Sequence, residues 1–127
     1  MKIYTGNFAN AKKYRENGLV TISIARFARY YSGEKMTELA PPASMIHDKE
    51  SEYVPKFEKE VLATLNAESV YNKISSITGG KDAILLCYEK AGDFCHRRLV
   101  ADWLKQNLSI EVEEYKIVKL EPQKALF

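Results

Sequence analysis

Six consecutive residues, Ala83-Ile84-Leu85-Leu86-Cys87-Tyr88, leave this chain few ways to fold. A short apolar run without polar alternation is typical of a β-strand that other elements cover on both faces. Sheets of that kind are parallel and have helices on both sides, so helices should precede and follow this strand. The run therefore predicts an α/β fold.

The rest of the chain contains the helices and strands that such a fold needs. Strands are predicted at 2–5, 19–25, 83–88 and 110–115, and helices at 8–17, 52–66, 69–77 and 94–107, the last with Asp93 as its N-cap. Because strands alternate with helices, parallel pairing through right-handed crossovers is expected. The predicted fold is a small Rossmann-like three-layer sandwich with a mostly parallel sheet of about four to five strands.

One domain spanning residues 1–127 is expected, since 46% of the residues are hydrophobic and 28% are charged. Residues 27–50 have no clear periodicity, and Pro41-Pro42 excludes a continuous helix there. Irregular segments of this length are often binding loops, so we predict that 27–50 forms an irregular flap over the site. Near its start, aromatic and basic side chains alternate in a way that suits either a stacked base above a phosphate or simple loop packing: Arg26, Phe27, Arg29, Tyr30, Tyr31 and Lys35.

Charge and hydropathy exclude some classes of partner. The net charge of +2 is too small for wholesale binding to nucleic acid or to a membrane, so any anion recognition must be local. No apolar run reaches the roughly 20 residues that cross a bilayer, and residues 1–5 lack the apolar core of a signal peptide. Cys87 and Cys95 do not form a disulfide framework, and reduced, cytoplasmic thiols are expected.

Polar residues follow three of the predicted strands. Gly6-Asn7 follows the first strand, Arg26 the second, and the segment 89–98 the third. Ligands of open parallel sheets bind beyond the carboxyl ends of the strands, so these segments are expected to meet around one crevice. Taken singly, Gly6 is more readily explained as a turn residue and Arg26 as a surface charge.

The cluster Cys95-His96-Arg97-Arg98 is the best candidate for a functional site. A thiol and an imidazole can act as nucleophile and proton-transfer group, although both residues could equally be part of the core. Cys87, inside an apolar strand, is expected to be core packing.

The two arginines of the cluster differ in their neighbours along the predicted helix. Arg98 lies four residues before Asp102, which is the spacing of a helical ion pair. Arg97 has Ala101 at that distance and thus no helical partner, so it is the predicted anion ligand of the two.

Zinc is an alternative use of the cysteines, with Cys87, Cys95, His96 and His47 as four ligands. Their spacing matches no common zinc finger or ribbon, and the adjacent residues Cys95 and His96 would point about 100° apart on a helix. We therefore expect neither a metal nor another cofactor.

Three stretches resemble the domain-of-unknown-function 488 family in the same order: IYTGNFAN, SIARFARYYSGEKMTELAPP and LLCYEKAGDFCHRRLVADWL. The resemblance covers most of the chain and implies a small Rossmann-like α/β protein. It places the family motif on Glu89, Cys95, His96 and Arg97, and it matches Arg26 to the arginine after the second strand. Other branches of the family have an acidic residue where this chain has Ile24, so the resemblance implies no mechanism that needs a carboxylate there.

These observations predict an enzyme that acts on a phosphate-bearing nucleotide or nucleic-acid component, without a membrane and with its oligomeric state open. Cys95 and His96 are the predicted catalytic residues, and the predicted substrate-binding residues are Arg26, Arg97, Glu89, Asn7 and Tyr4. The alternatives are a non-catalytic module that binds nucleotide or nucleic acid, and a scaffold without a small ligand. A last alternative is an alkyl-accepting cysteine protein, because Phe94-Cys95-His96-Arg97 resembles the Pro-Cys-His-Arg motif of DNA alkyltransferases.

Overall fold

A computed structural model describes residues 1–28, 30–88 and 95–117 of the chain. Within them, the five strands and four α-helices follow one another in this order: β1 (Ile3–Asn7), α1 (Ala11–Glu16), β2 (Val20–Ser23), β3 (Glu34–Lys35), α2 (Glu50–Glu60), α3 (Ala67–Thr78), β4 (Ala83–Cys87), α4 (His96–Leu108) and β5 (Val112–Glu114). The strands form one sheet in the order β3-β2-β4-β1-β5, and every pair is parallel. The small Rossmann-like sandwich predicted from the sequence is confirmed.

The central strand of the sheet is β4, and all five of its residues are buried. Ala83 and Leu85 belong to the core that α2, α3 and α4 cover, whereas Ile84 and Leu86 pack with Tyr14 of α1 on the opposite face. The apolar run is continuous because neither face of β4 meets water.

Gly6 lies inside β1, paired with Leu86, and the expectation that it forms a turn is wrong. A Cβ atom at Gly6 would lie 2.6 Å from the Tyr14 hydroxyl oxygen and 2.7 Å from Cδ1 of Ile84. Because α1 approaches the sheet so closely, the strand has no room for a side chain here.

All four predicted helices have different bounds in the structure, and the differences at α2 and α4 are described here because both helices border the site. Helix α2 begins at Glu50, so Pro55 lies in its second turn rather than its first. It ends at Glu60, and a separate 3-10 turn, Leu62–Thr64, follows where a continuous helix to residue 66 was expected. Helix α4 begins at His96, while Asp93 and Phe94, its predicted N-cap and first residue, lie outside the described residues.

The segment 27–50, described except for Arg29, is not wholly irregular. It contributes the edge strand β3 and two short 3-10 turns, Thr37–Leu39 and Ala43–Met45. Strand β3 has only two residues, both exposed, so the sequence shows no alternation of polar and apolar residues there. Buried side chains anchor the segment to the body of the fold: Met36, Leu39, Ala40 and Met45. Residues 27–50 are called the flap below.

None of the helices in the described part of the chain has the length and apolar character needed to span a bilayer.

Candidate functional site

A pocket of about 220 Å³ lies beyond the carboxyl ends of β2 and β4, between them and the flap. Its lining residues come from the end of β2, the flap, α2, the end of β4 and the start of α4: Ala25, Arg26, Phe27, Pro41, Ile46, Asp48, Tyr53, Cys87, Tyr88, Cys95 and His96. The structure thus brings Arg26, Cys95 and His96 to one pocket at the edge of the sheet where ligands of such folds bind.

The His96 ring is fixed by the backbone that follows β2. Its Nε2 lies 2.6 Å from the carbonyl oxygen of Ile24, and a carbonyl can only accept, so Nε2 holds the proton of the neutral ring. Nδ1 is then an acceptor, and it lies 3.7 Å from Sγ of Cys95. The pKa of His96 is lowered to about 4, chiefly by burial and also by the nearby Arg97 charge, against the raising effect of the Ile24 hydrogen bond. The imidazole is therefore neutral at pH 7.

Cys95 is the N-cap of α4 and has an extended backbone, φ −151° and ψ 144°. The expectation that it lies within the first helical turn is therefore wrong. Its side chain makes no capping hydrogen bond. The sulfur lies at the start of the helix, where backbone amide groups favour a negative charge.

Cys87, the last residue of β4, is bonded to Cys95 through their sulfur atoms. This bond contradicts the expectation that both thiols are reduced. The expectation that Cys87 only packs in the core is also wrong, because Cys87 lines the pocket. The sequence does not reveal the pairing, since it arises only where the end of β4 and the start of α4 meet.

Arg97 is 2% exposed and forms a two-point ion pair with Glu114 of β5. Its Nε donates to Oε1 at 3.0 Å and its Nη2 to Oε2 at 3.1 Å, while Nη1 donates to Sγ of Cys87 at 3.1 Å. The premise that Arg97 has no partner is wrong, because the partner lies on a neighbouring strand rather than on the same helix. Glu114 also accepts a hydrogen bond from the Thr5 hydroxyl, at 2.7 Å.

Arg26 connects the end of β2 to the flap. Its Nε donates to the carbonyl oxygen of Pro41 at 2.9 Å and its Nη2 to that of Ala40 at 3.3 Å. Within the described residues, Nη1 makes no hydrogen bond. The guanidinium is thus held in place by neutral carbonyls, and among the described residues it forms no ion pair beside the pocket.

Asn7 and Tyr4, two further predicted substrate-binding residues, do not line this pocket. Asn7 lies at the end of β1, in register with Cys87, and its buried Oδ1 has no partner in the described part of the chain. Tyr4 packs edge-on against Tyr115 and lines a separate cavity at the amino end of β1. Glu89 lies outside the described residues.

The sequence singled out Phe27 as a ring that could stack with a base, but sequence reasoning missed Tyr88, Ile46 and Asp48, which also line the pocket. Phe27 and Tyr88 are 62% and 57% exposed, which is unusual for rings of their size. Ile46 and Asp48 come from the flap, and Asp48 is paired with Lys56 at 3.1 Å. The only signal available was the aromatic and basic character of the flap's first residues.

The thiol and imidazole groups also form a cluster of metal-ligand atoms. Single donor atoms of Cys87, Cys95 and His96 all lie within 4.8 Å of one another, whereas His47 is not part of this group. In the state shown, both sulfur atoms are used by their mutual bond. The described residues are therefore not arranged as the four-ligand zinc site considered from the sequence.

Comparisons with known proteins give one match. The family model DUF488-N3a, described as the active DUF488-N3 subclade, matches residues 9–108. This span contains both cysteines, His96, Arg97 and the whole flap. The comparisons with curated proteins and with solved structures give no match.

Proposed function

The chain belongs to the DUF488 family, and from this premise we propose that it is a cysteine-dependent enzyme acting on a phosphate-bearing nucleotide or nucleic-acid component. One observation carries the proposal: Sγ of Cys95 lies 3.7 Å from Nδ1 of His96 at a pocket that also contains Arg26.

Cys95 and His96 have the arrangement of a nucleophile with its base. When the thiols are reduced, Cys95 can donate its proton to Nδ1, and the thiolate then lies at the start of α4, where amide groups stabilise it. The Ile24 carbonyl orients the ring by accepting from Nε2 at 2.6 Å. A nucleophile, a base and a group that orients the base are the three parts that nucleophilic catalysis needs.

The charge and shape of the pocket favour an anionic ligand with a flat ring. Arg26 supplies a charge that can bind a phosphate oxygen, whereas the nearby charge of Asp48 is compensated by Lys56. The exposed rings of Phe27 and Tyr88 can stack with a base. A volume of about 220 Å³ suits a single nucleotide or a part of one rather than a larger ligand.

The test is a binding screen of the reduced protein against nucleotides and phosphosugars, first by thermal shift and then by calorimetry. A charge-assisted hydrogen bond contributes about 1.5–3 kcal/mol, so Arg26→Gln should weaken binding by about 10-fold or more. Arg98→Gln is the matched control, since it removes the same charge from an exposed side chain of α4 and should leave the affinity unchanged. Failure of every compound to stabilise the protein would overturn the proposal.

Turnover of the compound that binds is the second measurement. Cys95→Ser should abolish turnover and leave the dissociation constant within about threefold, because the serine hydroxyl is a far weaker nucleophile of similar size. A wild-type protein that binds a nucleotide but converts none under reducing conditions would instead support the non-catalytic binding module.

A further inference from the structure

We propose that Cys87 and Cys95 are a reversible dithiol–disulfide couple, and that the pocket exchanges this couple with the disulfide of a small molecule. The inference goes beyond the proposed function and requires no nucleotide. It begins from the bond between the two cysteines, both of which line the pocket. Each sulfur also has its own polar neighbour, His96 for Cys95 and Arg97 for Cys87.

The surroundings of Cys87 match a thiolate better than a disulfide. A disulfide sulfur is neutral and a weak acceptor, whereas Nη1 of Arg97 is a charged donor 3.1 Å away. When the bond is reduced, this contact becomes a charge-assisted hydrogen bond to the thiolate. A site that stabilises the reduced state makes the disulfide easier to reduce, which is the property of exchanging rather than structural disulfides.

Cys95 has the corresponding features of an attacking thiol. It is the N-cap of α4 without a capping hydrogen bond, and Nδ1 of His96 can take its proton. Thiolates at helix starts are the usual attacking groups in disulfide exchange. The pair therefore contains one sulfur beside a base and a second sulfur beside a buried cation.

Contacts other than this bond hold β4 and α4 in place. The cysteines are eight residues apart, and β4 is already hydrogen-bonded to β1 and β2 over its length. Helix α4 is anchored separately by Val100 and Leu104, both 0% exposed. Disulfides are needed chiefly in small domains that lack a sufficient core, and this core spans both faces of a five-stranded sheet.

The exchange balances in two steps. The Cys95 thiolate attacks one sulfur of a disulfide RS–SR, the S–S bond of the ligand breaks, and RS⁻ leaves and takes a proton. The Cys87 thiolate then attacks Sγ of Cys95 in the mixed disulfide, the Cys87–Cys95 bond forms, and the second RS⁻ leaves. Two electrons pass from the protein dithiol to the ligand, which is released as two thiols, and a small dithiol reverses the reaction.

The pocket selects the size and charge of the disulfide. The two cysteines are 1% and 3% exposed, so the sulfurs are reached through a pocket of about 220 Å³, which excludes the disulfides of folded proteins. The charge of Arg26 favours a ligand with a carboxylate. The substrate class is therefore a low-molecular-weight disulfide with a negative charge.

The first experiment equilibrates the full chain in graded mixtures of reduced and oxidised glutathione, blocks free thiols with an alkylating agent and counts the adducts by mass. One step between no adduct and two adducts is expected, reached from either direction. A protein that keeps two free thiols, or none, across the whole series would overturn the proposal.

The second experiment uses 5,5′-dithiobis(2-nitrobenzoate), a small anionic disulfide. The reduced wild type should release two equivalents of the coloured thiol and retain none. Cys87→Ser should release one equivalent and retain the other as a mixed disulfide on Cys95, since the second attacking sulfur is absent. Cys95→Ser should react at least 10-fold more slowly, because Cys87 ends a strand and lacks the helix start that favours an attacking thiolate at Cys95. Equal reactivity of the two variants, or a wild type that retains the adduct, would overturn the proposal.

Arg97→Lys, with Arg98→Lys as its control, tests the role of the guanidinium. The first variant should need a higher ratio of reduced to oxidised glutathione for half-reduction, and the second should need the same ratio as the wild type. If Arg97→Lys does not fold, the Cys87→Ser trap decides alone. A failure of nucleotides to bind would leave these results unchanged, so the two proposals fail separately.

Discussion

Arg97 and Glu114 form a two-point ion pair, Nε to Oε1 at 3.0 Å and Nη2 to Oε2 at 3.1 Å, that joins α4 to β5. Because the arginine is 2% exposed and the Glu114 side chain 30% exposed, the carboxylate lies between a buried cation and water. The pair fixes the orientation of the guanidinium, so that its remaining nitrogen, Nη1, donates a hydrogen bond to Sγ of Cys87. The edge strand β5, which has only three residues, thereby orients the Arg97 guanidinium beside Cys87.

Glu114→Gln should destabilise the folded state by about 3 kcal/mol, the lower end of the range for breaking a buried ion pair. The amide retains the size of the side chain but leaves the buried charge of Arg97 uncompensated. Urea unfolding measures the change. Glu113→Gln, at the exposed neighbour on β5, is the control and should stay within about 0.5 kcal/mol of the wild type. A loss below about 1 kcal/mol in Glu114→Gln would contradict the assigned role.

The burial of His96 should make stability depend on pH. The pKa of its ring is 6.5 in the unfolded chain and about 4 in the folded protein. Between these values the unfolded chain binds a proton that the folded protein does not bind. Stability is therefore fully present above pH 6.5 and falls as the pH is lowered toward 4, by a total of about 3 kcal/mol.

The measurement compares the wild type with His96→Gln by urea unfolding at several pH values, because carboxyl groups titrate over the same range in both proteins. The stability advantage of the wild type should shrink by about 3 kcal/mol between pH 7 and pH 4. His47→Gln, at an exposed histidine outside the pocket, is the control for this change of the stability difference with pH. A pH-independent advantage in His96→Gln would show that the ring is not buried in its neutral form.

The sequence predicted those parts of the fold whose signal is local. The run from Ala83 to Cys87 identified the central strand because burial on both faces removes polar alternation. Gly79, with a φ of 64°, ends α3 close to the predicted end at residue 77, because residue type encodes this kind of helix end. Asn66 caps α3 by a hydrogen bond of 2.9 Å, although the sequence prediction includes it in the preceding helix, 52–66. Strand β3 has two residues, too few for any pattern.

The sequence predicted where the candidate site lies, but it did not predict the contacts that its side chains make with one another. That Arg26, Cys95 and His96 share a pocket follows from the rule that strand ends of a parallel sheet meet at one edge. The bond between Cys87 and Cys95 and the pair between Arg97 and Glu114 depend on how α4 is set against β4 and β5. Those distances are properties of the tertiary fold that spacing along the chain does not contain.

Gly6→Ala should destabilise the protein by about 1–3 kcal/mol, the usual cost of overpacking a core. The new methyl group would lie 2.6 Å from the Tyr14 hydroxyl oxygen, so α1 would have to move off the sheet. Combining it with Tyr14→Leu, which removes both the oxygen and the ring carbon Cζ that would lie 2.7 Å from the new methyl group, should cost less than the sum of the single changes. Urea unfolding of the four proteins gives the coupling. Additive costs would show that the Tyr14 side chain is not what excludes a side chain at Gly6.

Arg26→Gln should loosen the flap without unfolding the sheet. The guanidinium donates to the carbonyl oxygens of Pro41 and Ala40, and glutamine is too short and too weak a donor to replace both bonds. Loss of at least about 1.4 kcal/mol of local stability would speed amide exchange in the flap about 10-fold. Hydrogen–deuterium exchange with mass spectrometry should show this in peptides covering residues 36–46, and no change in peptides covering β4. Arg98→Gln removes the same charge from α4 and should leave both regions at wild-type rates. Equal acceleration in the flap and in β4 would mean that Arg26 supports the whole fold rather than the wall of the pocket.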